Sequence, residues 1–182
     1  MSSFSGKAIL LFLIHGTIWL GIKSEGELHD RAITTANRLW LVLSIVSVSF
    51  LVASKFATPI YDNYIANPIL FIFILITVLA IVGVKIFLAR ESFWKAWFSS
   101  AVTILGATFY GFIGLFPNMF PSSLNPEYSL TAHNSASSSL TLTIMLVLAH
   151  IFVPIVLAYQ IWVYNLFKDK VTKDDLAYEE SY

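Results

Sequence analysis

The chain has 182 residues, of which 57% are hydrophobic and 12% are charged, with 11 basic side chains against 11 acidic ones. A soluble domain carries about 25% charged residues, so lipid rather than water must solvate much of this surface. The zero net charge gives no electrostatic case for nucleic acid, and the absence of cysteine removes disulfides, thiolate metal sites and cysteine nucleophiles.

In chain order, five apolar stretches stand out, at residues 6–22, 39–55, 68–89, 96–116 and 140–167. A spanning helix needs about 20 mostly apolar residues, with about 17 as the lower limit. The runs are continuous rather than alternating, which predicts helices and not a barrel. The expectation is an all-α integral membrane protein of about five transmembrane helices. The first run meets charged residues without a small-x-small cleavage site, so it does not read as a signal peptide.

Between the first two runs, residues 24–38 read as a short amphipathic helix on the membrane surface. Ser24 and Glu27 have capping-box spacing, Glu27 and Arg31 form a favourable i,i+4 pair, and Leu28, Ala32, Thr35 and Leu39 share a face. On the fourth run, Gly106, Ala107, Gly111 and Gly114 favour close helix packing and an interior position. The loop 117–139 holds Pro117, Pro121 and Pro126, and Glu127 is its sole charged residue. Ser135 and the serines at 137–139 are N-cap candidates for the last helix. That helix spans 28 residues, or roughly 42 Å at 1.5 Å per residue, and Pro154 should kink it.

Basic residues set an orientation. Nine of them (Lys23, Arg31, Arg38, Lys85, Arg90, Lys95, Lys168, Lys170 and Lys173) fall on one side, against Lys7 and Lys55 on the other. By the positive-inside rule the C-terminus is cytoplasmic, the N-terminus is outside and the 117–139 loop is external. A short outward N-terminus without a signal peptide leads to the expectation that upstream helices are missing.

No Asp or Glu lies in any of the five stretches, which argues against a self-sufficient transporter, since ion coupling usually needs an intramembrane titratable group. His15 and His150 lie at comparable depths, roughly 12–16 Å from the outer helix ends. Two such imidazoles could ligate a b-type haem iron in a free-standing membrane haem protein. The simpler reading is a hydrogen bond to a neighbouring helix or subunit. Trp19 and Lys23 read as an interfacial anchor, or as a fixed cation at a subunit contact. Trp40, Trp94, Trp97, Trp162 and Tyr164 read as belt residues.

The segment 114–145, GLFPNMFPSSLNPEYSLTAHNSASSSLTLTIM, resembles subunit II of cytochrome bd-type quinol oxidases. The matching elements are Phe116-Pro117, Met119, Pro121-Ser122-Ser123, Ser129-Leu130-Thr131, the serine-rich run 135–139 and Thr141-Leu142, with Asn125 in the same loop. Trp19-Leu20 followed by Lys23-Ser24-Glu25-Gly26-Glu27-Leu28 is similar to the family's segment after its fifth helix, with Ser24 where Thr is common. Thr172-Lys173-Asp174-Asp175-Leu176 is similar to its cytoplasmic tail.

The resemblance implies the second half of that subunit: a four-helix bundle (1–118, with the amphipathic segment 24–38), the external loop (117–139), and a long peripheral helix with its tail (140–182). A missing first half would carry four more helices and the family's intramembrane carboxylates. The resemblance further implies a non-catalytic subunit that supports assembly and stability of the haem-bearing subunit I in aerobic respiration. No catalytic, metal or cofactor ligand is then expected in this chain. Haem b, with haem d as a further candidate, belongs in subunit I. A bound quinone or lipid is the remaining expectation, in a prokaryotic plasma membrane with access to the quinone pool.

Overall fold

Helices follow wherever the apolar runs predict them in this computed structural model, which describes residues 2–122 and 125–167. Ser123, the lysines at 168, 170 and 173, and the tail motif 172–176 lie outside the described residues. The described chain divides after Phe116 into two units.

The first unit holds α1 (Ser2–Lys23), α2 (Glu27–Ala57), the short α3 (Ile60–Ala66), α4 (Phe71–Ala89) and α5 (Phe93–Leu115). Four of these helices, α1, α2, α4 and α5, form a bundle. The most extensive pairings are α4 with α5 and α1 with α2, while α2 and α4 approach each other less. Ile14, Ile18, Leu43, Val84, Leu88 and Ala96 make the bundle's core. Outside that core, large apolar side chains stay exposed along every long helix, as lipid solvation requires.

The fifth helix organises the bundle because small and polar residues recur on one face. Ala96, Ser100, Thr103, Gly106, Tyr110 and Gly114 are all buried. Gly106 touches Thr77 of α4 and Gly114 touches Ile60 of α3 so closely that no Cβ fits at either. Gly111 faces open space, where a Cβ would meet nothing within 4 Å. Two of the three glycines therefore serve packing, and the spacing that matters is eight residues.

Three features of residues 24–38 differ from expectation. They do not form a separate surface helix, because α2 runs unbroken for 31 residues, roughly 46 Å. No Gly or Pro lies between Glu27 and Ala57, and extending an existing helix is far easier than nucleating a new one. The Ser24–Glu27 capping box is also absent. The Ser24 hydroxyl donates to Leu20 O at 2.6 Å, spent on the end of α1, while Gly26 takes the N-cap position at φ 63° without a side-chain bond. Finally, the buried face runs through Ala32, Ala36 and Leu43, whereas Leu28 and Thr35 are exposed. Close contact with α1 sets that rotation, since Ile33 Cδ1 lies 2.6 Å from where a Gly21 Cβ would be. The Glu27–Arg31 pair forms as expected, at 2.6 Å on the exposed surface.

A tight turn joins α4 to α5. Ser92 N donates to Phe87 O at 2.9 Å and Glu91 N to Leu88 O at 3.1 Å, while Glu91 adopts φ 52°. This is a Schellman stop with glutamate where glycine is usual.

The second unit begins at Pro117. Strands β1 (Asn118–Phe120) and β2 (Leu130–Thr131) pair antiparallel, with a register irregularity between Asn118 and Phe120. One turn of 3-10 helix, Pro126–Tyr128, lies between them. The long α6 (Ser139–Leu166) follows, running through Pro154, and none of its residues is buried. Its N-cap is Ser138, whose hydroxyl accepts from Thr141 N at 3.3 Å and also bonds the Thr141 hydroxyl at 2.9 Å.

Candidate functional site

Small and β-branched residues on facing helices leave the bundle incompletely filled. A cavity of about 180 Å³ lies among α1, α2, α4 and α5, lined by Leu11, Phe50, Ile74, Val78, Ile104 and Tyr110, among others. Ser47, Thr77, Thr103, Thr108 and Tyr110 supply the hydroxyls in a wall that is otherwise apolar. Thr77 and Thr108 donate to carbonyls one turn back in their own helices, as does Thr103, so little hydrogen-bonding capacity faces the space. Such a wall is predominantly apolar.

Short helix α3 closes one end of the bundle through its polar side chains. Tyr64 donates to Tyr110 O at 3.0 Å, Tyr61 donates to Leu51 O at 3.0 Å, and the Ser54 and Tyr110 hydroxyls meet at 2.8 Å. Asn63 Nδ2 donates to Ile113 O at 2.8 Å and reaches Phe116 O, satisfying carbonyls that α5 leaves open at its C-terminus. Burial, and then the neighbouring Tyr61, push the Tyr64 phenol up to about 12. A raised phenol pKa means the folded state holds the proton more tightly. That stabilisation is complete below the ordinary value near 10 and is lost as pH rises through about 12.

Towards the other end, His15 Nδ1 lies 2.8 Å from Ser100 Oγ, and its ring stacks on Trp97 at 4.7 Å. Trp19 packs against Trp94 and Trp97 at 5.8 and 5.4 Å, and Lys23 Nζ sits 5.4 Å over the Trp19 ring. Trp97 Nε1 is buried without a hydrogen-bond partner among the described residues. Thus Trp19 and Trp97, expected at the membrane interface, take part in an α1–α5 contact. Glu25 and Arg31 are exposed. His150 lies on α6, exposed, with Nδ1 2.9 Å from Leu146 O one turn back. His15 therefore bonds a neighbouring helix, the simpler of the two expectations, whereas the bond of His150 stays within its own helix. Among the described residues, no group of three or more His, Asp or Glu side chains could hold a metal ion.

The 117–139 segment is ordered by its own short side chains. Ser129 is buried and accepts from Ser122 N at 3.0 Å. Asn134 Oδ1 accepts from Thr131 N at 2.7 Å while its Nδ2 donates to Ser129 O at 2.9 Å. Asn125 Oδ1 accepts from Glu127 N at 3.0 Å, and Ala132 N donates to Pro117 O at 2.9 Å. Met119 and Phe120 are exposed on β1, and Pro121 follows them at the surface. Asn134 makes the most of these bonds without standing out in the sequence; its position three residues after Thr131 is the local signal for such a turn. Nothing in the sequence points to Ser100 as the partner of His15, or to the Lys85–Asn37 contact described below.

Together these features define a multi-pass α-helical membrane protein. Four described helices are long and apolar enough to span a bilayer, with a shorter apolar helix at Ala8–Lys23. The chain belongs to the cytochrome bd terminal oxidase subunit II family, whose model matches residues 4–167. It is similar to the probable cytochrome oxidase subunit 2 of Haemophilus influenzae, at 32% identity over 87% of this chain and 49% of the relative. It is also similar to the cytochrome bd ubiquinol oxidase subunit 2 of Bacillus subtilis, at 27% identity over 93% and 50% respectively. The cytochrome bd-I ubiquinol oxidase subunit 2 of Escherichia coli is 28% identical over 91% and 51%. The chain spans about half the length of these curated relatives.

Proposed function

We propose that this chain is a non-catalytic half of subunit II in a quinol:oxygen oxidoreductase complex, and that it supports assembly and stability of a haem-bearing subunit I. The observation that supports this reading best is the family match across nearly all of the bundle and α6. It is joined by a site inventory in which polar side chains serve packing: His15 on Ser100, Tyr64 and Asn63 on the end of α5. The haems and the quinol-oxidising chemistry belong to the partner. The intrabundle cavity is the place for a quinone tail or a lipid chain. The polypeptide equivalent to the rest of the relatives' length is the second partner.

In this reading the mostly apolar bundle presents its exposed faces to lipid and to those partners. An affinity tag on this chain, with gentle solubilisation from native membranes, tests it. Haem absorbance should co-purify with the tag, and the chain expressed without its partners should show no Soret band. A b-type spectrum from the chain alone, lost in both His15→Ala and His150→Ala, would overturn the proposal in favour of a free-standing haem protein.

A further inference from the structure

Lys85 is a cation within the membrane-spanning α4, four residues before its end at Ala89. A lysine so placed normally extends past the helix end into water. This one turns sideways across the α2–α4 seam. Its Nζ donates to Asn37 Oδ1 at 2.7 Å and sits 5.5 Å over the Trp40 ring. Trp40 Nε1 in turn donates to Ile81 O of α4 at 2.7 Å, and Asn37 Nδ2 donates to Ile33 O at 3.1 Å. The amine is thus held in place by a neutral amide and an aromatic face. No described carboxylate lies within 4.0 Å of it, and Arg38 and Arg90, both exposed, add positive charge at the same end of the two helices.

An ammonium in an apolar span is costly without an anion, and the Asn37 amide accepts only one of its three N–H groups. We propose that Lys85 binds the phosphate of an anionic phospholipid seated on the α2–α4 seam. The surroundings match both parts of such a molecule. On α4, Val78 and Val82 precede Lys85 at helical spacing along one edge, and they are 41% and 44% exposed. On α2, Leu41 and Val48 follow Asn37 in the same way, at 58% and 62% exposed. Acyl chains lie along these apolar edges while the phosphate meets Lys85, with Arg38 and Arg90 adding long-range attraction. The site does not depend on which leaflet it faces, or on the proposed role in an oxidase.

The test uses protein taken from its native membrane in nanodiscs, with all the subunits it carries, then exchanged into phosphatidylcholine with or without phosphatidylglycerol. Native mass spectrometry should find a retained phosphatidylglycerol in the wild type and in Lys85→Arg, and its loss in Lys85→Gln. Asn37→Asp is the decisive second variant. It keeps the side-chain shape, supplies the missing carboxylate beside the amine, and should stay folded while losing the lipid. Retention of phosphatidylglycerol at wild-type level in Asn37→Asp and Lys85→Gln would overturn the proposal. So would protection against unfolding by inorganic phosphate equal to that given by phosphatidylglycerol, which would assign a soluble-anion site. A carbodiimide cross-link from Lys85 to a carboxylate of a neighbouring subunit would assign the amine to a protein partner and would likewise overturn it.

Discussion

Gly106 and Gly111 are five residues apart on one helix, and their environments are opposite. A methyl at Gly106 collides with the Thr77 side chain, whose hydroxyl is tied to Phe73 O at 2.7 Å and resists moving. Overpacking of this kind costs about 1–3 kcal/mol. Gly111 has nothing within 4 Å, and alanine there gains about 0.5–1 kcal/mol of helix propensity. Thermal unfolding of the solubilised protein should therefore show Gly106→Ala destabilised and Gly111→Ala unchanged or slightly stabilised. Equal losses at both positions would mean that α5 is more tightly enclosed at Gly111 than the bundle geometry allows. The sequence marks both glycines as small residues of one helix. It does not separate them, because the difference lies in what faces each from α4.

Among the elements, the 117–139 hairpin shows how a segment with little apolar content becomes ordered. Two strands of three and two residues are too short to hold themselves together. Asn134 pins the β2 side by accepting from Thr131 N and donating to Ser129 O. Removing one side chain that satisfies several backbone groups costs about 1–3 kcal/mol, locally comparable to everything else that orders the segment. Asn134→Ala should open the hairpin to limited proteolysis near Glu127 while leaving the helical circular dichroism intact. An unchanged digestion pattern would show that other contacts hold it. Across the hairpin, the Ser129 hydroxyl accepts from Ser122 N, so this serine side chain satisfies a backbone group of the other arm.

On the scale of the whole molecule, the charge asymmetry of nine basic residues against two predicts which side each helix end faces. The expected topology places Tyr182 in the cytoplasm and the hairpin outside. Reporter enzymes active on one side only, fused at Tyr182 and within the loop near Glu127, check it. A Tyr182 fusion active outside the cell would reverse the assignment, and with it the side on which α3 closes the bundle.

Hydropathy alone determined that the chain crosses a membrane as helices, because a backbone in hydrocarbon must satisfy its own hydrogen bonds. Local spacing also determined the Glu27–Arg31 pair and the serine cap of α6, whose partners lie within one turn. Motif order carried the family resemblance. Tertiary structure decided whatever depends on residues distant in the chain. Residues 27–57 form one helix whose buried face is set by Gly21 and Ile33 rather than by their own periodicity. Trp97 stacks on His15 of a different helix, a contact its belt-like position in the sequence does not announce. Lys85, in sequence only one positive charge among nine on its side, is held by Asn37 and Trp40 across a helix seam. The physical reason is common to all three. A membrane helix is apolar all round, so its sequence carries little record of which side meets protein and which meets lipid, and only the packed bundle resolves the two.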